Sequence, residues 1–353
     1  ISASELAAET PIYGRGEETE HQFEKQGWEA YARYSSQGTA ESTFLRHDGA
    51  LLAVYGSPSR PVDSDFVTGL FERPEQFLAR TDGTFLAVGI DPTEDRIVVG
   101  TDKLGARPCY YVPGKPVFAT TVAACLPSVD ETIDTQAVVD FLHLGHLWGT
   151  RTLVEEISSM RPATVYEYHE SEWNATRYWK PSYEERSPGN IYLDELAERF
   201  QSAVKQTAEG IPDRAGLWLS GGFDSRSTAS VLADTDIELT GYSYNANPPT
   251  GDNPAIARRV GEKLGVSASE VSLSEETVSP ERIERIIDVC DGMVRWNTGL
   301  NLSPSYDVDE PVFLEGADRS RNPRSQLGKE RIHRPGAWPT RRECRARALA
   351  ALA

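Results

Sequence analysis

The stretch Ala215-Gly216-Leu217-Trp218-Leu219-Ser220-Gly221-Gly222-Phe223-Asp224-Ser225 decides the fold of this chain. Its apolar first half, residues 215–219, predicts a buried strand, and residues 226–233 predict a helix. The Ser/Gly-rich turn between them is a favourable place for a phosphate group. The free N–H groups of a first helical turn point at such an anion, and the helix dipole favours negative charge there. The stretch therefore predicts an anion site at the end of a strand.

Four small residues of the turn are candidate phosphate ligands: Ser220, Gly221, Gly222 and Ser225. The glycines allow the backbone to approach an anion closely and tolerate positive φ, and the serine hydroxyls can donate hydrogen bonds. Asp224 would repel a bare phosphate, so its presence indicates a divalent cation that shares the site. The alternative is a plain glycine turn in which Ser or Asp caps the next helix.

From residue 191 onward, predicted strands alternate with predicted helices. In chain order these are helix 191–208, strand 215–219, helix 225–234, strand 237–244, helix 253–264, strand 269–273, helix 280–290 and strand 311–314. Alternation of this kind predicts a parallel sheet with crossover helices. Ligands of such sheets bind beyond the carboxyl ends of the strands, which is where Ser220 lies.

The helix predicted over 191–208 is amphipathic. Its apolar face consists of Leu193, Leu196, Ala197, Phe200 and Val204. A stripe of this width is typical of a helix that packs on a core.

Before a turn-rich linker at residues 187–190, the pattern is mainly that of antiparallel strands. The predicted elements are a strand at 50–55, short helices at 67–71 and 74–80, a hairpin of 84–90 with 96–100, a second hairpin of 110–112 with 117–119, a helix at 135–144 and a strand at 163–169. Residues 1–40 are polar and have no clear assignment.

The net charge of −18 argues against nucleic-acid binding by bulk electrostatics. Only seven of the 36 basic residues are lysines. Many acids with few lysines are expected of a protein that works in concentrated salt, where charges are screened, so we expect a halophilic source. No apolar run is long enough to span a membrane. We therefore expect a cytoplasmic protein whose four cysteines (Cys109, Cys125, Cys290 and Cys344) are reduced thiols and not zinc ligands.

The sign of the charge reverses near the end of the chain. From Asp318 to Ala353 there are ten Lys or Arg residues and three Asp or Glu residues. A basic interaction arm explains this, and so does a change of reading frame, which the abrupt break favours. At the other end the chain starts with Ile1, so we expect the true start to be missing or processed.

With both halves in view, the chain resembles the asparagine synthetase family. The resemblance rests on four stretches: residues 220–225 (S-G-G-x-D-S), 102–111 (similar to D-x-x-G-x-x-P-L-Y-Y), 82–85 (similar to D-G-x-F) and 315–318 (E-G-x-D). It implies an α+β, Ntn-hydrolase-like sandwich of the glutamine amidotransferase type over residues 1–182. An α/β parallel-sheet domain with a pyrophosphate loop, similar to the adenine nucleotide alpha hydrolases, is implied over 190–318, followed by an anomalous tail over 319–353.

The resemblance also implies an activity. Family members use ATP and Mg²⁺ to convert a carboxylate, here most simply aspartate, into an acyl-adenylate with release of pyrophosphate. Ammonia or another amine then displaces AMP. The implied partners are thus small molecules, with neither nucleic acid nor membrane, and a homodimer is one open oligomeric state.

Site roles follow from the resemblance residue by residue. It implies that Ser220, Gly221, Gly222 and Ser225 bind the β- and γ-phosphates, that Asp224 and Asp318 hold Mg²⁺, and that the backbone near Leu219 and Ser243 frames the adenosine. Asp318 alone is equally compatible with a surface acid. Arg226 either reaches phosphate or is a solvated residue of the first helical turn.

One departure from the family concerns glutamine hydrolysis. The family uses an N-terminal Cys as nucleophile, whereas residue 1 is Ile and the first cysteine is Cys109. We therefore expect no catalytic nucleophile and a non-catalytic amidotransferase-like domain. Two alternatives stay open: an inactive nucleotide-binding relative, and an enzyme similar to β-lactam synthetase that acts on a different carboxylate.

Overall fold

The computed structural model describes residues 15–25, 28–37, 42–182, 190–209, 213–245 and 252–293, together with positions 304, 308, 310 and 312–314. The described residues form an antiparallel region followed by a parallel region, as the sequence predicts. All of them belong to one compact unit that ends at Gly316.

The antiparallel region contains eleven strands in its described part. They are β1 (Arg15–Lys25), β2 (Trp28–Gln37), β3 (Ser42–His47), β4 (Ala50–Pro58), β5 (Gly83–Asp91), β6 (Arg96–Thr101), β7 (Tyr110–Tyr111), β8 (Phe118–Ala119), β9 (Ser158–Ser159), β10 (Thr164–His169) and β11 (Glu172–Arg177). Six of them form a sheet in the order β11-β10-β6-β5-β4-β3, and both predicted hairpins are confirmed as antiparallel pairs.

Two short helices, α1 (Ser64–Glu72) and α2 (Pro74–Ala79), cover one face of the six-stranded sheet. Asp63 begins α1 by accepting hydrogen bonds from the backbone N–H groups of Asp65 and Phe66. Phe66, Leu70 and Leu78 pack with the alternate residues of β4, β5 and β6 in a continuous core. Because side chains alternate between the two faces of a strand, every second side chain of these strands points toward the helices.

The opposite face of the same sheet carries a second core. It includes Ile97 and Val99 of β6, Tyr166 of β10 and Phe23 of the β1–β2 hairpin. A three-stranded sheet of order β8-β7-β9 adjoins this face and has its own small core around Cys125 and Ile157. The helix α3 (Thr135–Leu144) occupies the range that the sequence predicts.

The parallel region contains four helices and four strands in its described part. They are α4 (Asn190–Ala208), β12 (Arg214–Trp218), α5 (Phe223–Leu232), β13 (Glu238–Ser243), α6 (Asn253–Leu264), β14 (Ser267–Glu270), α7 (Pro280–Val289) and β15 (Phe313–Leu314). The sheet order is β14-β13-β12-β15, with every neighbouring pair parallel. Strand β14 starts two residues before the predicted range of 269–273. Its pairing with β13 sets these bounds, because Ser267 pairs with Thr240 and Glu270 pairs with Ser243.

The core of this region lies on one face of the sheet. Leu217 and Leu219 pack there with Ala229 and Leu232 of α5 and Ala257 of α6. Side chains at the intervening strand positions point to the other face. The first residues of the α5 helix come two positions earlier than the predicted start at residue 225.

The apolar face of α4 is buried only at its C-terminal end. Val204 packs against the core and Ala208 is buried, whereas Leu193 and Leu196 are 55% and 52% exposed and Phe200 is 39% exposed. The helix that the sequence predicts is present, and its apolar face is exposed over the first turns and buried only near its end.

The two regions touch through the turn after α7. Asp291 accepts hydrogen bonds from the backbone N–H groups of Val122 and Ala123, and Met293 packs against the small core around Cys125. None of the helices in the described ranges combines the length and the apolar character that a membrane crossing requires.

Candidate nucleotide site

The loop at residues 219–222 joins β12 to α5 at the carboxyl edge of the parallel sheet. The backbone N–H of Leu219 donates to the carbonyl of Tyr242 at 2.7 Å, so the sheet continues to the first residue of the loop. After β12 the chain turns to β13 and β14 on one side, and β15 pairs with β12 on the other. Ligands of parallel sheets bind in a crevice at the carboxyl edge where the strand order reverses in this way.

Ser220 and Ser225 hold the loop in shape. The backbone N–H of Ser220 donates to Oγ of Ser225 at 3.1 Å, and the two Oγ atoms are 3.1 Å apart. Oγ of Ser220 in turn accepts the backbone N–H of Gly222 at 3.1 Å. Ser225 is buried, so its hydroxyl closes the turn from inside. Both serines of the motif thus make loop contacts in addition to any contact with an anion.

The reason for glycine at positions 221 and 222 differs from the predicted one. Gly222 has a φ of −71°, and Gly221 is not among the residues with positive φ. A side chain at Gly221 would place its Cβ 3.0 Å from Cδ1 of Ile256 on α6, and one at Gly222 would meet Oγ of Ser220 at 3.1 Å. Close packing of the loop, and not a left-handed backbone, excludes larger residues here.

The first turn of α5 supplies the polar groups that face outward. Gly222 is the N-cap, and no side chain caps this end of the helix. The first N–H groups of a helix have no acceptor within the helix, which leaves them for a ligand. Asp224 is exposed in this turn, and Arg226 donates from Nε to the carbonyl of Gly222 at 3.0 Å.

A metal ion at this loop would need ligands from phosphate and water in addition to protein carboxylates. The described residues contain no group of three or more His, Cys, Asp or Glu side chains arranged to hold a metal ion. Mg²⁺ prefers one or two carboxylates together with phosphate oxygens and water, and the exposed carboxylate of Asp224 fits that mode. Asp318, the other predicted ligand, lies outside the described residues.

Leu219 and Ser243 both lie at strand ends, as predicted. Each is buried, and the carbonyl of Ser243 accepts the backbone N–H of Val271 at 2.8 Å. Their side chains therefore belong to the interior, and only their backbones lie near the crevice.

An aromatic cluster beside the loop was missed at the sequence level. The ring of Trp218 lies 5.4 Å from that of Tyr244 and 4.7 Å from that of Phe313, measured between centroids. These three residues come from β12, the end of β13 and β15, on the face opposite the α5–α6 core. The signal that could have found Trp218 is the alternation along β12, because Leu217 and Leu219 enter the core and Trp218 between them must point to the other face.

Below the rings, Glu310 fixes β15 to the sheet. Its Oε1 accepts from the hydroxyl of Tyr242 at 2.8 Å, and its Oε2 lies 3.1 Å from Nε of Arg214. The backbone N–H of Gly216 also donates to the carbonyl of Val312 at 2.9 Å. These bonds align β15 with β12, so the chain leaves Leu314 at the edge that carries the loop.

In the antiparallel region, the second motif of the sequence builds a tight corner around Asp102. Its buried carboxylate accepts three backbone N–H groups, from Phe85 at 3.2 Å, Leu104 at 2.8 Å and Ala106 at 3.0 Å. Lys103 pairs with Asp82 at 2.5 Å, which joins this motif to residues 82–85. Both stretches therefore have a structural explanation.

The thiols of this region are far from reactive. Burial raises the pKa of Cys109, and burial with the nearby Asp291 raises the pKa of Cys125 to about 12. A neutral thiol is a poor nucleophile, so the buried Cys109 is poorly suited to that role.

Comparison with known proteins agrees with both halves of the fold. A model of the glutamine amidotransferase domain matches residues 62–179, which contain the Asp82 and Asp102 motifs. A model of asparagine synthase matches residues 195–302, which contain the loop and most of the parallel region. The chain belongs to the asparagine synthetase family.

This asparagine synthetase family member is also similar to the amidase chyE of Penicillium rubens, with 25% identity over 252 residues. The aligned part covers 62% of the chain and 35% of the amidase. The chain thus spans about a third of the length of the curated relative that it matches.

Proposed function

We propose that the chain is an ATP-dependent carbon–nitrogen ligase that activates a carboxylate as an acyl-adenylate and transfers the acyl group to ammonia or another amine. One observation carries the proposal: a Ser/Gly loop that begins a helix lies at the strand-order reversal of a parallel sheet. The match of this region to asparagine synthase supports the same reading.

The two matches support a division into domains. We assign residues 1–182 to an Ntn-hydrolase-like domain, 190–318 to a pyrophosphate-loop domain and 319–353 to a separate tail. The six-stranded antiparallel sheet with cores on both faces supports the first assignment. The parallel sheet with α5 and α6 on one face supports the second.

ATP would lie across the carboxyl edge with its phosphates at the loop. The outward N–H groups of the first turn of α5 would bind the β- and γ-phosphates, with Ser220, Gly221, Gly222 and Ser225 forming the cradle. The backbones of Leu219 and Ser243 and the ring cluster of Trp218, Tyr244 and Phe313 would provide surface for the nucleoside. Aromatic rings suit this role because a purine base stacks on them.

Asp224 would hold Mg²⁺ together with phosphate oxygens, and Asp318 would be a second ligand. The ion would supply charge neutralisation at the phosphates. The role of Asp318 rests on the resemblance of residues 315–318 to the E-G-x-D motif.

In the reaction, a carboxylate oxygen attacks the α-phosphorus of ATP, the bond to the bridging oxygen breaks, and pyrophosphate leaves. The amine nitrogen then attacks the acyl carbon, AMP leaves, and the nitrogen loses a proton. No covalent enzyme intermediate is needed, so orientation and charge stabilisation carry the catalysis.

The carboxylate is the open part of the proposal. Aspartate is the first candidate because of the family, and ammonia or another amine would accept the acyl group. The likeness to a fungal amidase, which covers both regions of the chain, favours a second candidate: amide chemistry on a different carboxylate.

Pyrophosphate release tests the function. The chain is incubated with ATP, Mg²⁺ and ammonia, with aspartate or a panel of other carboxylates, and both pyrophosphate and AMP are measured. We expect the two products in equal amounts and only when a carboxylate is present. Release of ADP and phosphate, or no release with any carboxylate, would contradict the proposal.

The loop assignment has its own control. Asp224→Ala should lower pyrophosphate release at least tenfold, whereas Asp234→Ala, at an exposed position after α5, should leave it unchanged. Equal rates for Asp224→Ala and the unchanged chain would mean that the loop is not the site of the reaction.

A further inference from the structure

Arg226 is the one basic residue in the segment from Leu219 to Leu232, which contains the loop and all of α5. It follows Ser225 directly, in the first turn of the helix. Its Nε donates to the carbonyl of Gly222 at 3.0 Å, although the residue as a whole is exposed. The guanidinium is therefore held beside the start of the helix.

The stability of α5 does not explain a cation at this position. The N-terminal end of a helix dipole is positive, so a nearby guanidinium is disfavoured there. Asp224 stands two positions away, and residues at that spacing do not face each other on a helix. In the described part of the chain no carboxylate pairs with Arg226. An anion bound at the loop would attract the guanidinium of Arg226. The electrostatic contribution of Arg226 would then be favourable.

The direction of the side chain fits such an anion. Side chains in a helix lean toward its N-terminus, and the bond from Nε to Gly222 keeps the guanidinium at that end. Because Nε is engaged, the two Nη groups are the donors that remain. Guanidinium groups bind phosphate oxygens in pairs, and such charge-assisted bonds are stronger than neutral ones.

Arg226 adds a positive charge that the other side chains of the loop do not supply. Ser220 and Ser225 are neutral and also bond within the loop, and Asp224 is an acid. We infer that Arg226 is a phosphate-binding residue that contacts the pyrophosphate part of ATP through its Nη groups. This inference rests on the proposed function, since it names a further residue of the same site.

The test measures binding to the full chain by calorimetry, with Mg²⁺-pyrophosphate and Mg²⁺-ATP as probes. Arg226→Ala should weaken both affinities about tenfold or more. The affinities of Arg226→Lys should lie between those of Arg226→Ala and those of the unchanged chain, because lysine keeps the charge and loses the paired donors. Arg258→Ala is the matched control. It removes the same charge from an exposed site on α6, where Arg258 lies 4.0 Å from Glu270, and its affinities should stay unchanged.

Thermal unfolding separates binding from folding. Arg226→Ala should unfold at the same temperature as the unchanged chain or slightly higher, because alanine favours the helix and the cation at its N-terminus is gone. If the unchanged chain binds both probes and Arg226→Ala binds them equally well, the inference about Arg226 is wrong and the proposed function stands. If the unchanged chain binds neither probe, the proposed function and this inference both fall.

Discussion

The carboxylate of Asp291 accepts the backbone N–H of Val122 at 3.0 Å and so links the parallel region to the antiparallel region. The same oxygen accepts the N–H of Ala123 at 3.3 Å, at the start of a short 3-10 helix. Asp291 has a φ of 49°, and Gly292 after it has a φ of 66°. The left-handed backbone of this turn thus places the carboxylate of Asp291 within hydrogen-bond distance of two backbone N–H groups of the antiparallel region.

We expect Asp291→Ala to lower the free energy of unfolding by about 1–3 kcal/mol, because it leaves two N–H groups without their acceptor. Urea unfolding of the full chain measures the change, and amide exchange at Val122 and Ala123 should become faster. Glu284→Ala, an exposed acid on α7, is the control and should change the free energy by less than about 0.5 kcal/mol. Equal values for the two variants would contradict a linking role.

Asp291→Asn gives a pH-dependent prediction. Burial raises the pKa of Asp291, and the two N–H donors only partly offset that effect. Between the ordinary aspartate pKa and the raised one, the folded chain keeps a proton that the unfolded chain has released. The contribution of Asp291 to stability therefore falls as pH rises through this window.

Asparagine keeps the accepting oxygen and carries no charge. The free energy of unfolding of Asp291→Asn, relative to that of the unchanged chain, should thus grow as pH rises above the ordinary aspartate pKa and level off once pH exceeds the raised pKa. Urea titrations at several pH values measure the difference. A difference that shrinks as pH rises would show that the charged form is favoured in the folded chain.

Asp102 should be the most sensitive acid of the antiparallel region. Asp102→Ala removes the acceptor of three backbone N–H groups, of which that of Phe85 is buried, and we expect a loss of about 3 kcal/mol or more in the free energy of unfolding. Asp102→Asn should cost less, because one oxygen still accepts. Glu94→Ala, in an exposed turn, serves as the control. Similar unfolding curves for Asp102→Ala and Glu94→Ala would refute the account of the corner.

Gly221→Ala tests the contact between the loop and α6. The new Cβ would lie 3.0 Å from Cδ1 of Ile256, so the side chain of Ile256 must shift. We expect a loss of about 1–3 kcal/mol and weaker binding of Mg²⁺-ATP. Shortening the neighbour with Ile256→Ala should recover part of both effects in the double variant. Additive losses in the double variant would mean that this contact is not what requires glycine.

Thiol reactivity reports on the small core at the region boundary. Burial raises the pKa of Cys109, Cys125 and Cys290, and Cys290 is the least buried of the three. Alkylation by iodoacetamide, followed by peptide mass spectrometry, should therefore modify Cys290 first and the other two slowly. In urea the three rates should converge. Fast modification of Cys109 in the folded chain would contradict its burial.

Helix bounds follow from the sequence where both ends carry a strong local signal. Asp134 and Asp252 each accept a backbone N–H as N-caps of α3 and α6, and Gly145 and Gly265 end these helices in the left-handed conformation. Because these contacts form between residues close together in the chain, local sequence patterns were sufficient to predict where α3 and α6 begin and end.

Elements that depend on distant contacts were harder to predict. The β1–β2 hairpin is polar along most of its length and shows no alternation that indicates a buried face. Strand β14 is short and largely exposed, and its position is set by pairing with β13. The apolar stripe of α4 predicts burial, yet Leu193 and Leu196 are exposed.

The candidate site divides in the same way. Its position after β12 could be predicted, because the strand, the turn and the helix are continuous in the chain. The packing of Gly221 on Ile256 and the grouping of Trp218 with Phe313 could not, since each joins residues far apart in sequence. The hydrogen bonds of Ser225 within the loop could not be predicted either, because they depend on the backbone geometry of the turn.

The fixing of β15 by Glu310 has a consequence for the connection that precedes it. Glu310 bonds to Tyr242 and Arg214, and the carbonyl of Val312 accepts from Gly216, so the register of this strand is set at its own end. The cost of closing a longer connection rises only slowly with its length. The connection between α7 and Glu310 can therefore change in length at little cost in stability while the edge beside the loop keeps its geometry.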